Sequence, residues 1–560
     1  MDLVIFEENK PLVLEGLEQG EFDYIDAASE VFETEFFRYI NAKKILQSLA
    51  ETYPTPRKKE EVPLWFYIAS NLSMRLHGAH SFHAFPMIVR AGGMLNAFGP
   101  DAGRKVKHPE TEDVTLACTG FNNKNHYDRQ TPCDQDTLRK LARDTDAEAL
   151  MGWFGGDVVR EFRKRRVFDK AGIFIGDASY LFVPDNPNYE GSDKLLFDKH
   201  NHPVSREAYE KMSDAQKTEC QWRRCYKMVT LLHTNRSRDF FLFAGLKVVP
   251  GKNHECPLFY QLVEEFVQGV GKGVIKLLIL DRGFLDGKAI SRCKRDLGID
   301  VLIPIRRNMD IYEDARILFQ QSDVPWTRYA PRTEKAVSDK PQRPKPKAVV
   351  KREQKRQKKL EEHKQKLPPP PPEKTLVETE VASIEQFRIW SSCTVPLSVT
   401  ASLEHYADGH CKQWFLMDTR QGHPPVETRD DYAIRTEIEE RYRQFKCFCD
   451  LTKFTSRAFS MVVQQVVFVM LAYNLLQVYL LRKHRREMNT KTMPKIRQQL
   501  LPADSYTIVY WQNYYGLFSS YELIDIIGSL PDEPRKKIVE KSRRRRRELI
   551  EESLNNPRAP

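Results

Sequence analysis

"DYAIRTEIEERYRQFK", Asp431 to Lys446, is the stretch on which the reading of this 560-residue chain turns. It is dense with charge, yet the charges do not follow the Glu-then-Lys spacing of a solvated, salt-bridged helix face. Wound at about 100° per residue with Tyr432 at zero, Arg435 falls at about 300°, Glu439 at about 340° and Lys446 at about 320°. A tyrosine, an arginine, a carboxylate and a lysine thus share a stripe about 60° wide over roughly four turns. Such a line of groups suits the handling of phosphates around a charged centre.

Upstream, "AGIFIGDAS", "YKMVTLLHT", "FFLFAGLKVVPG" and "VIKLLILDRG" are short apolar runs bounded by turn signals. They predict strands of a buried sheet. "CPLFYQLVEEFVQGV" between the last two predicts a crossover helix, so the class is mixed α/β. Asp177 is expected at the end of the first run and Asp281 at the end of the last. An aspartate there is commonly a turn or cap residue. In "LDRG", however, an arginine and a glycine follow the acid directly, so the backbone turns tightly beside a charge. Neighbouring strands can bring two such ends together, and two like charges at close range are costly without a bound cation. With Glu439 added, two aspartates and a glutamate supply hard oxygen ligands for a pair of Mg²⁺ ions about 3.5–4 Å apart, Mn²⁺ substituting. Arg435 and Lys446 would hold phosphates beside them, with Tyr432 as a hydroxyl donor.

The pattern Tyr-x2-Arg-x3-Glu-x6-Lys, met by Tyr432, Arg435, Glu439 and Lys446, resembles the signature of bacterial DDE transposases of the insertion-sequence IS-four superfamily. "GDAS" and "LDRGF" resemble that family's first- and second-aspartate motifs, and "KVVPGKNHE" the strand and loop before the second. The resemblance implies an RNase H-like catalytic core with a β-rich insertion, preceded by an all-α N-terminal domain. Asp177, Asp281 and Glu439 would be the catalytic, metal-binding triad. Tyr432, Arg435, Lys446 and Arg282 would bind DNA. Trp414, in "QWFLMDTR", resembles a tryptophan that stacks on a base flipped from the transposon end; its structural reading is a packing aromatic on a half-buried strand. The implied partner is double-stranded DNA, at transposon ends and target, bound by a dimer in a synaptic complex. The implied chemistry is strand cleavage followed by strand transfer. The alternatives are an RNase H-fold nuclease without strand transfer and a transposase-derived DNA-binding protein.

The expected domains are a helical DNA-binding region at 1–165, the first part of the core at 166–310, an insertion at 311–428, the second part of the core at 429–490, and a helical, basic region at 491–560. Within the insertion, 330–374 is basic and proline-rich and expected to be disordered. The net charge of +11 is concentrated in two places. Arg332–Lys366 has fourteen Lys/Arg against five acids, and Arg535–Arg547 nine against one. Without those two segments the remainder is mildly acidic, so the basicity belongs to segments and not to a general surface. The ten cysteines show no zinc-finger spacing, which reads as a reduced, cytoplasmic chain, nucleoid-associated when on DNA. "MDLVIFEENKPLVLEG" lacks the positive start of an export signal. "FSMVVQQVVFVMLAYNLLQVYLL", Phe459–Leu481, has the length of a membrane span, but four buried amides predict a core helix and no membrane partner. His77, His80 and His83 have helical spacing without a matching carboxylate pair, and "CQWRRC" and "CFC" read as incidental thiols. Thr137–Arg143 is the candidate recognition helix.

The basic insert makes a prediction. Deleting Glu334–Lys366 removes thirteen Lys/Arg and five acids, so the protein should stay folded and bind DNA more weakly. The slope of log affinity against log salt should become shallower, measured by titration at several salt concentrations.

Overall fold

The structure is a computed structural model and describes residues 7–27, 31–58, 62–85, 88, 94, 97, 104–107, 114–117, 135–321, 323–330, 376–499, 506–512 and 514–555. All of the expected basic, proline-rich stretch 330–374 except its first residue lies outside these, as do Cys118 and Cys133. The chain divides into two compact units. One comprises Met1–Lys276 and Thr436–Pro560, the other Leu277–Arg435.

In the first unit every apolar run expected as a strand forms one, as β1 (Ile173–Val183), β3 (Gln221–Thr234) and β4 (Leu242–Pro250), and a further strand, β2 (Asp193–Phe197), joins them. β1 runs antiparallel to β3 with Asp177 opposite Thr230. The other edge of β3 is shared, β2 pairing with its first residues and β4 with the rest, both antiparallel. One expectation is corrected here. Asp177 stands in the middle of β1 and not at its end, because pairing with β3 continues from Ile173 to Val183 through the polar residues.

The apolar helix Phe459–Arg482 packs inside this unit, and 89% of its most apolar window is buried. Its amides are satisfied by protein groups. Asn474 donates Nδ2–H to the Phe243 carbonyl at 2.8 Å and accepts the Phe243 N–H at 2.8 Å. Gln477 accepts from the Phe241 N–H at 3.1 Å and donates to the Asn489 carbonyl at 3.1 Å. Gln465 donates to the Asp450 carbonyl at 2.9 Å, and Gln464 to the side chain of Asn71. Part of the outer edge of β4 thus ends on side-chain amides instead of another strand, which closes an otherwise unpaired edge.

Two regional expectations are corrected. The N-terminal region is not all-helical, and the C-terminal region is not only helical and basic. Glu7–Glu8 pairs parallel with the strand Tyr514–Ser519, and Tyr24–Ala27 pairs antiparallel with Tyr506–Trp511. Val13, Leu17 and Phe22 share a core with Val509, Phe518, Leu523, Leu530 and Ile538. These partners lie almost 500 positions apart, so neither segment carries the pattern of the sheet by itself. A further strand pair joins Arg104–Lys107 to Val114–Ala117.

In the second unit the strands are β5 (Leu277–Leu280), β6 (Asp300–Pro304), β7 (Thr327–Arg328), β8 (Leu376–Phe387), β9 (Leu397–Tyr406) and β10 (Cys411–Asp418). β5 and β6 are parallel, and β10 joins β6 antiparallel. β9, β8 and β7 follow as an antiparallel meander.

The stretch Asp431–Lys446 is not one continuous helix. A first helix, Pro425–Ala433, gives way to a turn at Ile434–Arg435, and a second helix begins at Thr436 and runs to Phe448. The Arg435 N–H bonds the Tyr432 carbonyl, the tightened closure of a helix end. The expected single stripe therefore splits, Tyr432 and Arg435 before the break, Glu439 and Lys446 after it.

The amide edge makes a prediction. Asn474→Leu keeps the volume and removes both partners of Phe243, leaving a buried N–H and C=O unpaired. Stability should fall by about 2–6 kcal/mol, at about 1–3 kcal/mol per orphaned group. Denaturant unfolding measures it.

Candidate functional site

In the first unit the helix Thr436–Phe448, the signature helix, lies along β1. The Tyr442 hydroxyl donates to the Asp177 carbonyl at 3.1 Å and stands 2.6 Å from Thr230 Oγ1. A phenol has one proton to give, so the threonine is the donor in the second contact. Four residues on, Lys446 Nζ donates to Ser179 Oγ at 2.8 Å. Four helical residues advance about 6 Å and two strand residues about 6.6 Å. The helix therefore keeps pace with the strand and runs in its direction.

Strand alternation then places Asp177. Ser179 turns its hydroxyl to the helix, and Asp177, two residues earlier, shares that face. Thr230, directly opposite Asp177, also reaches the helix. On the helix, Glu439 precedes Tyr442 by three residues and Lys446 by seven, so all three lie on one face, within about 60°. Glu439 is exposed and Tyr442 buried. Burial lowers the Lys446 pKa, and the Asp177 carboxylate nearby opposes that shift.

In the second unit Asp281 follows β5 directly, as expected, and its Oδ1 accepts from the Arg282 N–H at 2.8 Å. Its other oxygen stands 3.3 Å from Arg435 Nη2. Arg306 donates to the Arg282 carbonyl at 2.7 Å, bracing the same turn. Burial pushes the Tyr432 phenol up to about 12, so at neutral pH it is a protonated donor. Its ring lies 6.0 Å from that of Trp414.

Trp414 is engaged on several sides. Its indole N–H donates to Glu404 Oε1 at 3.0 Å, and the Arg429 guanidinium sits 4.5 Å from its ring centroid. Tyr406 donates to the other oxygen of Glu404 at 2.9 Å. Burial raises the Glu404 carboxyl, but these hydrogen bonds and the Lys412 and Arg429 charges hold it below the usual range.

The helix Pro425–Ala433 is anchored by a buried ion cluster. Arg420 Nη2 reaches Asp418 at 2.6 Å, and its Nη1 reaches Asp431 at 2.8 Å. Asp431, the first residue of the quoted stretch, is thus a structural acid that fixes the turn before Tyr432. Sequence reading missed Tyr442, Thr230, Ser179, Arg429 and Glu404. Tyr442 was the one within reach, because it lies one helical turn from Glu439. The others depend on strand register and chain contacts far apart in sequence.

Asp177, Asp281 and Glu439 are carboxylates, the hard oxygen donors that suit a divalent cation such as Mg²⁺. Two of them have a protein cation beside them, Lys446 near Asp177 and Arg435 on Asp281. Among the described residues, no group of three or more His, Cys, Asp or Glu side chains is drawn together closely enough to hold a metal. His77 pairs with Glu33 at 2.8 Å and His80 with Asp450 at 3.1 Å, so these two histidines of the "HGAHSFH" run have structural partners. The candidate recognition segment Thr137–Arg143 lies on the helix Gln135–Asp144.

The ion cluster makes a prediction. Arg420→Met leaves two buried carboxylates without their cation, and should cost the second unit about 3–5 kcal/mol. Urea titration of the variant measures the loss.

No curated protein matches the chain. The model of the transposase DDE domain family matches residues 189–475, just over half of the 560 residues. The matched span takes in Asp281, Trp414, Tyr432, Arg435, Glu439 and Lys446, and it begins twelve residues after Asp177. The family is generally divalent-metal dependent and acts on DNA. With a match over just over half its length, the chain belongs to the transposase DDE domain family.

Proposed function

We propose that this protein is a cut-and-paste transposase of the IS-four superfamily, with an RNase H-like core. It would cleave DNA strands at transposon ends and transfer the freed 3′ ends into target DNA. The observation that carries this reading is the docking of Tyr442 and Lys446 on β1, which sets Glu439 on the helix face turned to the strand of Asp177. Asp177, Asp281 and Glu439 would hold two Mg²⁺ ions, or Mn²⁺ in their place. When bound, such ions activate the attacking oxygen and neutralise charge on the leaving one.

The residues of this chain have separable tasks. Lys446 and Arg435, now beside Asp177 and Asp281, would turn to phosphate oxygens when DNA is present, as charge-assisted donors. Tyr432 would add a neutral hydroxyl donor, and Arg282 a further cation beside the second aspartate. Tyr442 is a positioning residue whose hydroxyl fixes the signature helix to the backbone of Asp177. Trp414 would receive a flipped base on its ring. Arg429, a planar cation, lies 4.5 Å from the centroid of that ring and would give way to the base. A dimer would hold two ends in a synaptic complex, with residues 1–165 reading the end sequence and 311–428 serving as the insertion.

Glu439→Gln should lower end cleavage by several orders of magnitude while end binding persists, because phosphate affinity is spread over many cations. Arg435→Ala should instead weaken end binding roughly ten- to a hundredfold, for a charge-assisted contact of about 1.5–3 kcal/mol. Its half-saturating Mg²⁺ concentration should hardly change. Arg435→Lys should recover only part of the loss, lacking the bidentate fork. Titration of end DNA in Ca²⁺ and cleavage assays in Mg²⁺ check both. Glu439→Gln cleavage within tenfold of wild type would overturn the triad.

A further inference from the structure

The sheet of the second unit has two faces, and register separates them. Glu404 pairs with Lys412 and Ser402 with Trp414, which places the tryptophan cluster on one face. His405 pairs with Cys411, and alternation puts both on the other. There the Cys411 sulfur lies 3.2 Å from His405 Nδ1. His405 Nε2 in turn lies 3.2 Å from Glu380 Oε2, on β8. Three adjacent strands thus align a thiol, an imidazole and a carboxylate.

The order of contacts assigns each group a role. Glu380 accepts the Nε2 proton, which leaves Nδ1 with its lone pair toward the sulfur. The imidazole is then the base for the thiol, and the carboxylate orients the base. This is the arrangement that activates a nucleophile. Cys411 is exposed and free, so reagents reach it. Among the described residues, Glu378 lies across from His405 and pairs with Arg328 at 3.0 Å, and Arg328 lies across from Glu380. No catalytic residue of the transposition reading takes part.

We propose that Cys411 is a modification site, a thiol activated by His405 and Glu380 for attack on peroxides. The sulfur forms a bond to one peroxide oxygen while the O–O bond breaks. The thiol proton passes to His405 Nδ1 and then to the departing oxygen. Thiol and peroxide thus give a sulfenic acid and an alcohol, or water when the peroxide is hydrogen peroxide. The oxidised sulfur no longer donates to His405, which removes a tie across the end of the β9–β10 hairpin.

Cys447 is also exposed and serves as an internal reference. The full-length chain would be treated with hydrogen peroxide and a sulfenic-acid trap, and labelling at each cysteine followed by mass spectrometry. Cys411 should be labelled at least fivefold faster than Cys447. His405→Ala should abolish that advantage, and Glu380→Gln should reduce it at least twofold, with the Cys447 rate unchanged in both. A native ratio below fivefold overturns the proposal, as does an advantage that survives His405→Ala. Buried Cys225 and Cys256 report folding. If they become labelled in His405→Ala, the Glu380→Gln chain decides, and an undiminished ratio there overturns the assignment.

Discussion

One phenolic hydroxyl carries much of the organisation of the first unit around Asp177. Tyr442 is buried, and it spends its proton on the Asp177 carbonyl while accepting from Thr230. Both strand groups belong to one antiparallel pair, so the contact fixes the helix against β1 and β3 together. Lys446 adds a second tie two strand residues further on. Two ties along a line set rotation as well as position, and Glu439 is then held on the face that Tyr442 and Lys446 define. The sheet that receives this helix is itself closed by Asn474 and Gln477, which complete part of the β4 edge from a helix.

Charge is balanced locally throughout. Asp281 is answered by Arg435, Asp177 has Lys446 nearby, and Asp431 and Asp418 share Arg420. These pairs divide by setting. The Arg420 cluster is buried and cannot be exchanged without cost, which makes it a support. The Arg435 contact leaves Asp281 about a third exposed. The same residue types therefore form a buried cluster in one place and a partly exposed pair in another.

The sheet of the second unit also separates two sets of groups. Trp414 and Glu404, with Arg429 from the following helix, lie on one face of β9 and β10, and Cys411 and His405, with Glu380 from β8, on the other. A period of two along each strand is enough to keep two chemistries apart with no intervening layer. The tryptophan face is a set of stacked and hydrogen-bonded groups, whereas the cysteine face is a relay.

By itself the sequence determined β1, β3, β4 and β5, the burial of the amide-bearing helix and the Tyr432, Arg435, Glu439 and Lys446 spacing, because period, turn residues and apolar runs are local properties. It also pointed to a DDE transposase, the coarser family that the match over residues 189–475 supports. Three things were decided only by the tertiary structure. The helix breaks at Ile434–Arg435, where Arg420 holds Asp431 from across a loop and the chain passes from one unit to the other. Asp177 sits within a strand because β3 pairs past it. The terminal segments form one sheet because strands from opposite ends of the chain meet. Each of these depends on a partner outside the local element, eleven positions away for Arg420 and Asp431 and much further for the strands, and no pattern within a short window records which residue will supply the missing hydrogen bonds or the opposite charge.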